Sequence, residues 1–250
     1  MNPRRPHFAD SVFALMVAVL LLVLEGALFE AWGIAGMAVG SVLWVPAFWL
    51  YGRAAGLDPI EAFSLRLPPP GALPWLLILW FSAWWLLTGL EHAQAAWFDW
   101  MGLSFREEIG RYFQGVRTIR EAGPIVAATL LCIVSPIKEE ALFRGLLLSG
   151  LVRSFTPLRG VLYSAAWFGA LHLALPRMGI LFLVGLLFGF AVVRTRSLAA
   201  GILLHILHNT AALVLEPLAS RAPHPAVLAV AACAFVWGFR DFLRATRVSA

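Results

Sequence analysis

The chain is divided into apolar runs, each close to the length a helix needs to cross a bilayer, and no other feature constrains its fold as tightly. The runs lie at 12–31, 34–51, 73–90, 124–150, 160–175, 178–193, 198–215 and 224–239. About 20 predominantly apolar residues span a hydrocarbon core of about 30 Å. Of the 250 residues, 61% are apolar and only 13% charged, about half the charged share of an average soluble domain. A water-soluble globule is therefore excluded. Inside lipid, backbone polar groups must be satisfied within the chain, and runs of this length do so as helices. The expectation is an all-α polytopic membrane protein of about eight transmembrane helices, the last of them short.

The first run follows Arg4 and Arg5, as in a signal peptide, but it is too long and lacks an A-x-A cleavage site; it reads as an uncleaved first span. Arginines between the runs set an orientation. With the N-terminus inside, the inner set is Arg4, Arg5, Arg53, Arg66, Arg153, Arg159, Arg194, Arg196, Arg240, Arg244 and Arg247, and the outer set is Arg106, Arg111, Arg117, Arg120, Arg177 and Arg221. Eleven against six favours N-in and C-in. Four of the outer six fall in 104–121, where Phe105, Ile109, Tyr112, Val116 and Ile119 recur at helical spacing among charges, the pattern of an interfacial amphipathic helix. The PPPG stretch at 68–71 separates spans two and three, and Trp32, Trp49, Trp97 and Trp100 lie near span ends as interfacial anchors. The net charge of +5 comes from scattered loop arginines, which makes no nucleic-acid stripe. Cys132 and Cys233, both in apolar runs, form neither a disulfide framework nor a four-ligand zinc site.

Ionisable residues at bilayer depth are functional candidates by default, because each costs about 2.5 to 3.5 kcal/mol on insertion scales. They concentrate in three runs. In SPIKEEALFRG (135–145), Glu140 and Arg144 stand four apart with the acid N-terminal, the favoured orientation for a helix ion pair. Glu139 has Phe143 at its own i+4 position and is left for other work. Pro136 lacks an N–H and crowds the Cys132 carbonyl, which predicts a kink just before the glutamates and room for a wet cavity. The bland reading makes Lys138, Glu139, Glu140 and Arg144 a mutually neutralised cluster at a helix end. In WFGALHLA (167–174), Phe168 and His172 share a face, although a lone histidine is more often an interhelical hydrogen-bonding residue. In HILHNTAA (205–212), His205 and Asn209 share a face and His208 is an extra; two histidines and an amide in one span are hard to explain as packing. Glu25 and Glu30 belong to no such motif. Glu30 reads as interfacial, and Glu25 as a cavity-wall group or a snorkelling neighbour.

Counted from the presumed inner span ends, Glu139, His172, His205 and Asn209 spread over roughly 10 to 20 Å of depth at about 1.5 Å per residue. They can converge on one cavity. A carboxylate, two imidazoles and an amide supply a base, a proton carrier and hydrogen-bond donors, the parts needed to activate water and hold an oxyanion.

The ordered set EExxxR (Glu139, Glu140, Arg144), FxxxH (Phe168, His172) and HxxxN (His205, Asn209), each in its own apolar run, resembles the CPBP family of intramembrane glutamic endopeptidases, related to CAAX prenyl proteases and bacteriocin-processing enzymes. Each motif alone is weak; three in order, with 28 residues from Arg144 to His172 and 33 from His172 to His205, are strong. The likeness covers roughly 122–216. It implies about eight helices around a membrane-embedded cavity and cleavage of a peptide bond in or beside the membrane. By the same resemblance Glu139 and His172 activate the water, His205 and Asn209 hold the oxyanion, and Glu140, Arg144 and Phe168 are structural. No cofactor is expected, since HExxH is absent; zinc on Glu139, His172 and His205 is the less favoured alternative. The chain divides into N-terminal membrane helices with the interfacial helix (1–121), a catalytic core (122–216), and a C-terminal helix with a basic tail (217–250).

The partners expected are membrane lipids and a peptide or protein substrate with a membrane-associated tail, with no nucleic acid. Arginine-rich, lysine-poor usage points to a GC-rich bacterial coding sequence and hence to a bacterial inner membrane, where prenylation is generally lacking. A leader peptide or C-terminal sorting tail therefore ranks above a prenylated CAAX tail. Two other classes remain open at this stage. One is a non-catalytic scaffold or bacteriocin-immunity protein, and the other an ion- or proton-coupled transporter, for which intramembrane Glu and His are also expected. A transporter more often shows paired interrupted helices in two halves, whereas here the motifs lie in the second half.

Overall fold

A computed structural model describes residues 5–103 and 105–247. Arg4 and Ser104, both used in the sequence reading, lie outside the described residues, as do the side chains of Phe105, Arg106, Arg111 and Tyr112. Among the described residues there is no strand.

The first element, α1 (Phe8–Ala54), is broken at Gly33, whose φ of 60° and ψ of −137° suit a residue without Cβ. The chain folds back there into a tight helical hairpin. A Cβ on Gly36 would lie 1.9 Å from the Leu28 carbonyl oxygen, so the arms approach backbone to backbone. Farther along, Ser41 Oγ donates to Glu25 at 2.8 Å, Phe13 stacks on Tyr51 at 4.2 Å, and the Tyr51 hydroxyl donates to Asp10.

A short α2 (Pro59–Phe63) follows, and the PPPG stretch enters a 3-10 turn before α3 (Leu73–Trp100). Next, α4 (Phe105–Glu121) buries Ile119 and exposes Arg117 and Arg120, the amphipathic division read from the sequence. The run 124–154, here α5, is one continuous helical stretch in which Leu130–Val134 and Ala141–Leu147 are wound as π-helix. Then come α6 (Pro157–Leu171), α7 (Met178–Thr195), α8 (Leu198–Val214), the single turn α9 (Glu216–Ala219) and α10 (Pro225–Ala245). Thr156 caps α6 and Ser197 caps α8 by accepting from Arg159 N and Ala200 N, which satisfies otherwise orphaned helix N–H groups. The last helix packs on α3, with Trp75 and Trp237 edge to face at 5.3 Å.

Each apolar run lies wholly or mostly in helix. Among the described residues, Phe8–Ala54, Pro70–Trp100, Leu175–Thr195 and Pro225–Ala245 are long and apolar enough to cross a membrane, and Leu198–Val214 is a shorter apolar helix. Several boundaries differ from expectation. The fifth run ends as helix at Leu171, so His172 is a C-cap and not a mid-helix residue; Leu173 takes a left-handed φ of 52°, which stops the helix. The last helix runs on to Ala245 through charged residues, which apolarity alone does not extend. Side chains such as Leu20, Val42, Val230 and Val236 stand 65–69% exposed while Glu140 and Arg144 are buried, the distribution lipid demands. Cys132 and Cys233 are both free.

The loops gather into two ends. At one, Ser197 Oγ donates to the Arg66 carbonyl at 2.5 Å and Leu198 N to the Ser64 carbonyl at 3.0 Å. At the other, Gln94 reaches the Pro176 carbonyl, His92 the Ala219 carbonyl, and Arg120 pairs with Glu216 at 2.5 Å. Arg66, of the inner arginine set, lies at the first end and Arg120, of the outer set, at the second. In a variant lacking Cys132 and Cys233, a cysteine at Arg66 or Arg196 is expected to resist a membrane-impermeant thiol reagent in intact cells while one at Arg221 reacts. Labelling at Arg66 from outside would reverse the N-in orientation.

Candidate active site

The polar residues of α5, α6 and α8 meet midway along α5. The first of its widened turns has a local cause. In the π-turn the N–H of Ser135 reaches back to the carbonyl of Leu130, an i+5 bond. The next bond of that register would run from residue 136 to Leu131, and Pro136 has no N–H to give. Asn209 Nδ2 on α8 donates to the Leu131 carbonyl instead, at 2.8 Å. Where the sequence predicted a kink, the helix widens and takes a side chain from its neighbour.

Glu140 and Arg144 pair as the i, i+4 spacing predicted, at 2.8 Å, with both side chains at 0% exposure. The guanidinium also donates to the Gly185 carbonyl on α7 at 3.1 Å and lies 4.4 Å from the centroid of the Phe168 ring, a desolvated cation–π contact. Phe168 in turn packs edge to face on Phe143 at 5.2 Å. Glu140 Oε1 takes a second partner, His205 Nδ1, at 2.9 Å. A carboxylate only accepts, so this nitrogen carries the proton.

Glu139 points to the other side of the ion pair. Ser135 Oγ donates to its Oε1 at 2.5 Å. Its Oε2, buried and without a hydrogen-bond partner, lies 3.6 Å from His172 Nε2 and 3.8 Å from His205 Nε2. His172 Nδ1 donates to the Phe168 carbonyl at 2.6 Å, so the FxxxH spacing is a backbone anchor for the ring as well as a shared face. Each imidazole is thus held through Nδ1 and presents Nε2 to one carboxylate oxygen. The separations exceed a direct hydrogen bond and suit a bridging oxygen. Those same three atoms are the donor set a metal would use, although among the described residues no group of three His, Cys, Asp or Glu has metal-holding geometry.

Three parts of the site escaped the sequence reading. Lys138 does not join a cluster with its neighbours; its Nζ contacts both carboxylate oxygens of Glu25 at 2.7 Å. Lys138 is the chain's single lysine and Glu25 an unassigned intramembrane acid, a usable signal for pairing them. Ser135 stands four residues before Glu139, a spacing that could have marked it. Gly201 left no signal. A Cβ there would meet Glu140 Oε2 at 2.7 Å and Val192 Cγ2 at 2.8 Å. His208 contributes no polar contact to Glu139 and faces Phe188 at 6.0 Å.

Arg144→Met is expected to destabilise the protein in detergent by about 3 to 5 kcal/mol, since it leaves a buried carboxylate unpaired. Replacing both partners, as Glu140→Leu with Arg144→Met, should recover much of that loss in thermal unfolding.

Residues 121–211 match the family described as Rce1-like, type II CAAX prenyl endopeptidase Rce1-like. No curated protein and no solved structure matches the chain. The match spans Glu139, Glu140, Arg144, Phe168, His172, His205 and Asn209 and the turns that hold them, so this segment of the chain is similar to the CAAX prenyl endopeptidases, a protease family.

Proposed function

We propose that the protein is an intramembrane endopeptidase in which Glu139 and His172 activate water for attack on a peptide carbonyl. The observation that carries this reading is the meeting of Glu139 Oε2 with the Nε2 atoms of His172 and His205 at 3.6 and 3.8 Å. A water among these atoms gives its proton to the Glu139–His172 pair as its oxygen bonds to the scissile carbon. The carbonyl oxygen becomes an oxyanion, to which His205 Nε2–H and the second N–H of Asn209 Nδ2 donate. For that role His205 carries protons on both nitrogens, the Nδ1 proton resting on Glu140. Charge balance favours this form. Glu139 and Glu140 bring two negative charges against the single positive charge of Arg144, and an imidazolium offsets the remainder. The tetrahedral intermediate then breaks its C–N bond, the proton held by Glu139 and His172 passes to the leaving amine, and a carboxylic acid and an amine result.

Glu139→Gln keeps the shape of the side chain and removes the base, so hydrolysis should fall about 10² to 10⁴-fold with thermal stability nearly unchanged. A fully active Glu139→Gln enzyme would sink the mechanism. Activity should also survive prolonged treatment with a strong chelator. Loss on chelation and recovery with added zinc would instead assign Glu139, His172 and His205 as metal ligands.

For substrate we favour a leader peptide or C-terminal sorting tail over a prenylated one, in a bacterial inner membrane with both termini inside. Support comes from the arginine-rich usage and the distribution of loop arginines. The test is a set of quenched-fluorescence peptides in proteoliposomes, comprising a leader, a sorting tail and a farnesylated CAAX tail. Fastest cleavage of the farnesylated peptide would reverse the ranking.

A further inference from the structure

Glu139 sits on a six-residue stretch, Ser135–Glu140, flanked by π-turns on both sides. Each π-turn departs from the i to i+4 register while the backbone stays helical through both junctions, so the stretch is rotated from where a regular helix would place it, and contacts from outside hold that rotation. On the α7 and α8 side Glu140 does so through Arg144 and His205. On the α1 side the contact is Lys138.

Lys138 Nζ lies 2.7 Å from both carboxylate oxygens of Glu25, 3.3 Å from Ser41 Oγ and 5.4 Å from the centroid of the Trp44 ring. Glu25 is itself held by Ser41 Oγ at 2.8 Å and Trp44 Nε1 at 3.2 Å. The two charged side chains are 10% and 12% exposed, at a depth where few alternative partners exist. Adjacent residues on a helix project about 100° apart, so the direction of Lys138 toward α1 fixes that of Glu139 toward α6 and α8.

We propose that Glu25, seated by Ser41 and Trp44, is a positioning residue for the peptidase: through Lys138 it sets the rotation of Ser135–Glu140 and thereby aims Glu139 at His172 and His205. Glu25, Ser41 and Trp44 lie outside the matched segment 121–211, so the hairpin α1 becomes part of the catalytic apparatus. The inference rests on the reading of Glu139 as the base.

The test separates aim from adhesion. In Glu25→Met with Lys138→Met, both charges go together, no unpaired ion remains and apolar volume is kept. A positioning role predicts a melting temperature within a few degrees of the wild type and kcat lowered by about 10- to 100-fold, with KM within about twofold, on the peptide the wild type cleaves fastest. Lys138→Arg, which keeps the charge, should recover part of that kcat. A neutral pair with kcat within about twofold of wild type overturns the proposal. Should the neutral pair fail to assemble, Ser41→Ala with Trp44→Phe decides. That variant removes two donors to Glu25 and leaves the ion pair; a several-fold drop in kcat supports positioning, and unchanged kcat overturns it. Glu139→Gln is assayed alongside. If it retains activity, the assignment of the base has failed; if it is inactive while both hairpin variants are fully active, only the positioning role has failed.

Discussion

The buried pair Glu140–Arg144 is the interaction on which the rest of the site depends. Two ions without exposure each carry a desolvation penalty of several kcal/mol that their mutual attraction offsets only when the remaining donors and acceptors are also met. Glu140 Oε2 and Arg144 Nε stay without a hydrogen-bond partner, and the partners that meet the others come from different helices. Gly185 on α7 offers a carbonyl, His205 on α8 a ring nitrogen, and Phe168 on α6 the face of its ring. Three further helices are thereby brought around α5 by one ion pair. Gly201 completes the arrangement by leaving room for the second carboxylate oxygen. The neighbouring Glu139, left out of the pair, is carried into a polar pocket whose walls the pair has already built.

Pro136 acts at the same place through the backbone. Without its N–H the i+5 register opened at Ser135 cannot continue, and the Leu131 carbonyl is available to Asn209. A carbonyl without a partner in lipid costs several kcal/mol, so this bond ties α8 to α5 one turn beyond His205. The proline that the sequence marks as a disruption is thus a docking point between helices. It also leaves the second N–H of the Asn209 amide for other use.

The apolar runs, the amphipathic 104–121 segment and the Glu140–Arg144 pairing were legible because each follows from local spacing, whether span length, helical period or i, i+4 geometry. The grouping of Glu139, His172 and His205 was legible only as a shared depth, and His172 shows the limit of that inference. Depth counting placed it mid-helix, whereas Leu173 at positive φ ends the helix there, and no hydropathy pattern reports a single left-handed residue. The partner of Glu25 was hidden for another reason. Lys138 lies 113 positions away in the chain, and a contact at that separation depends on the turn at Gly33 and on the packing of α1 against α5, neither of which has a period. The widened turn at Leu130–Val134 likewise arises from a missing N–H combined with a donor on another helix.

The first half of the chain, outside the matched segment, has a physical task that the motifs do not express. Along one side of α5 it supplies polar contacts at successive levels. Glu25 holds Lys138, Ser11 Oγ donates to the Leu147 carbonyl at 2.9 Å, and the Ala62 carbonyl accepts from Ser149 Oγ at 2.8 Å. The backbones approach closely here too, since a Cβ on Gly150 would lie 2.2 Å from Ser11 Oγ. Between hydrocarbon tails and apolar side chains there is little hydrophobic drive to assemble helices, so close packing and interhelical hydrogen bonds must do it. A helix loosened by two π-turns needs that support more than a regular one does. With α1 and α2 occupying one side of α5, the opposite side is the one free to face α6, α7 and α8, and it is there that Glu139 meets the two histidines.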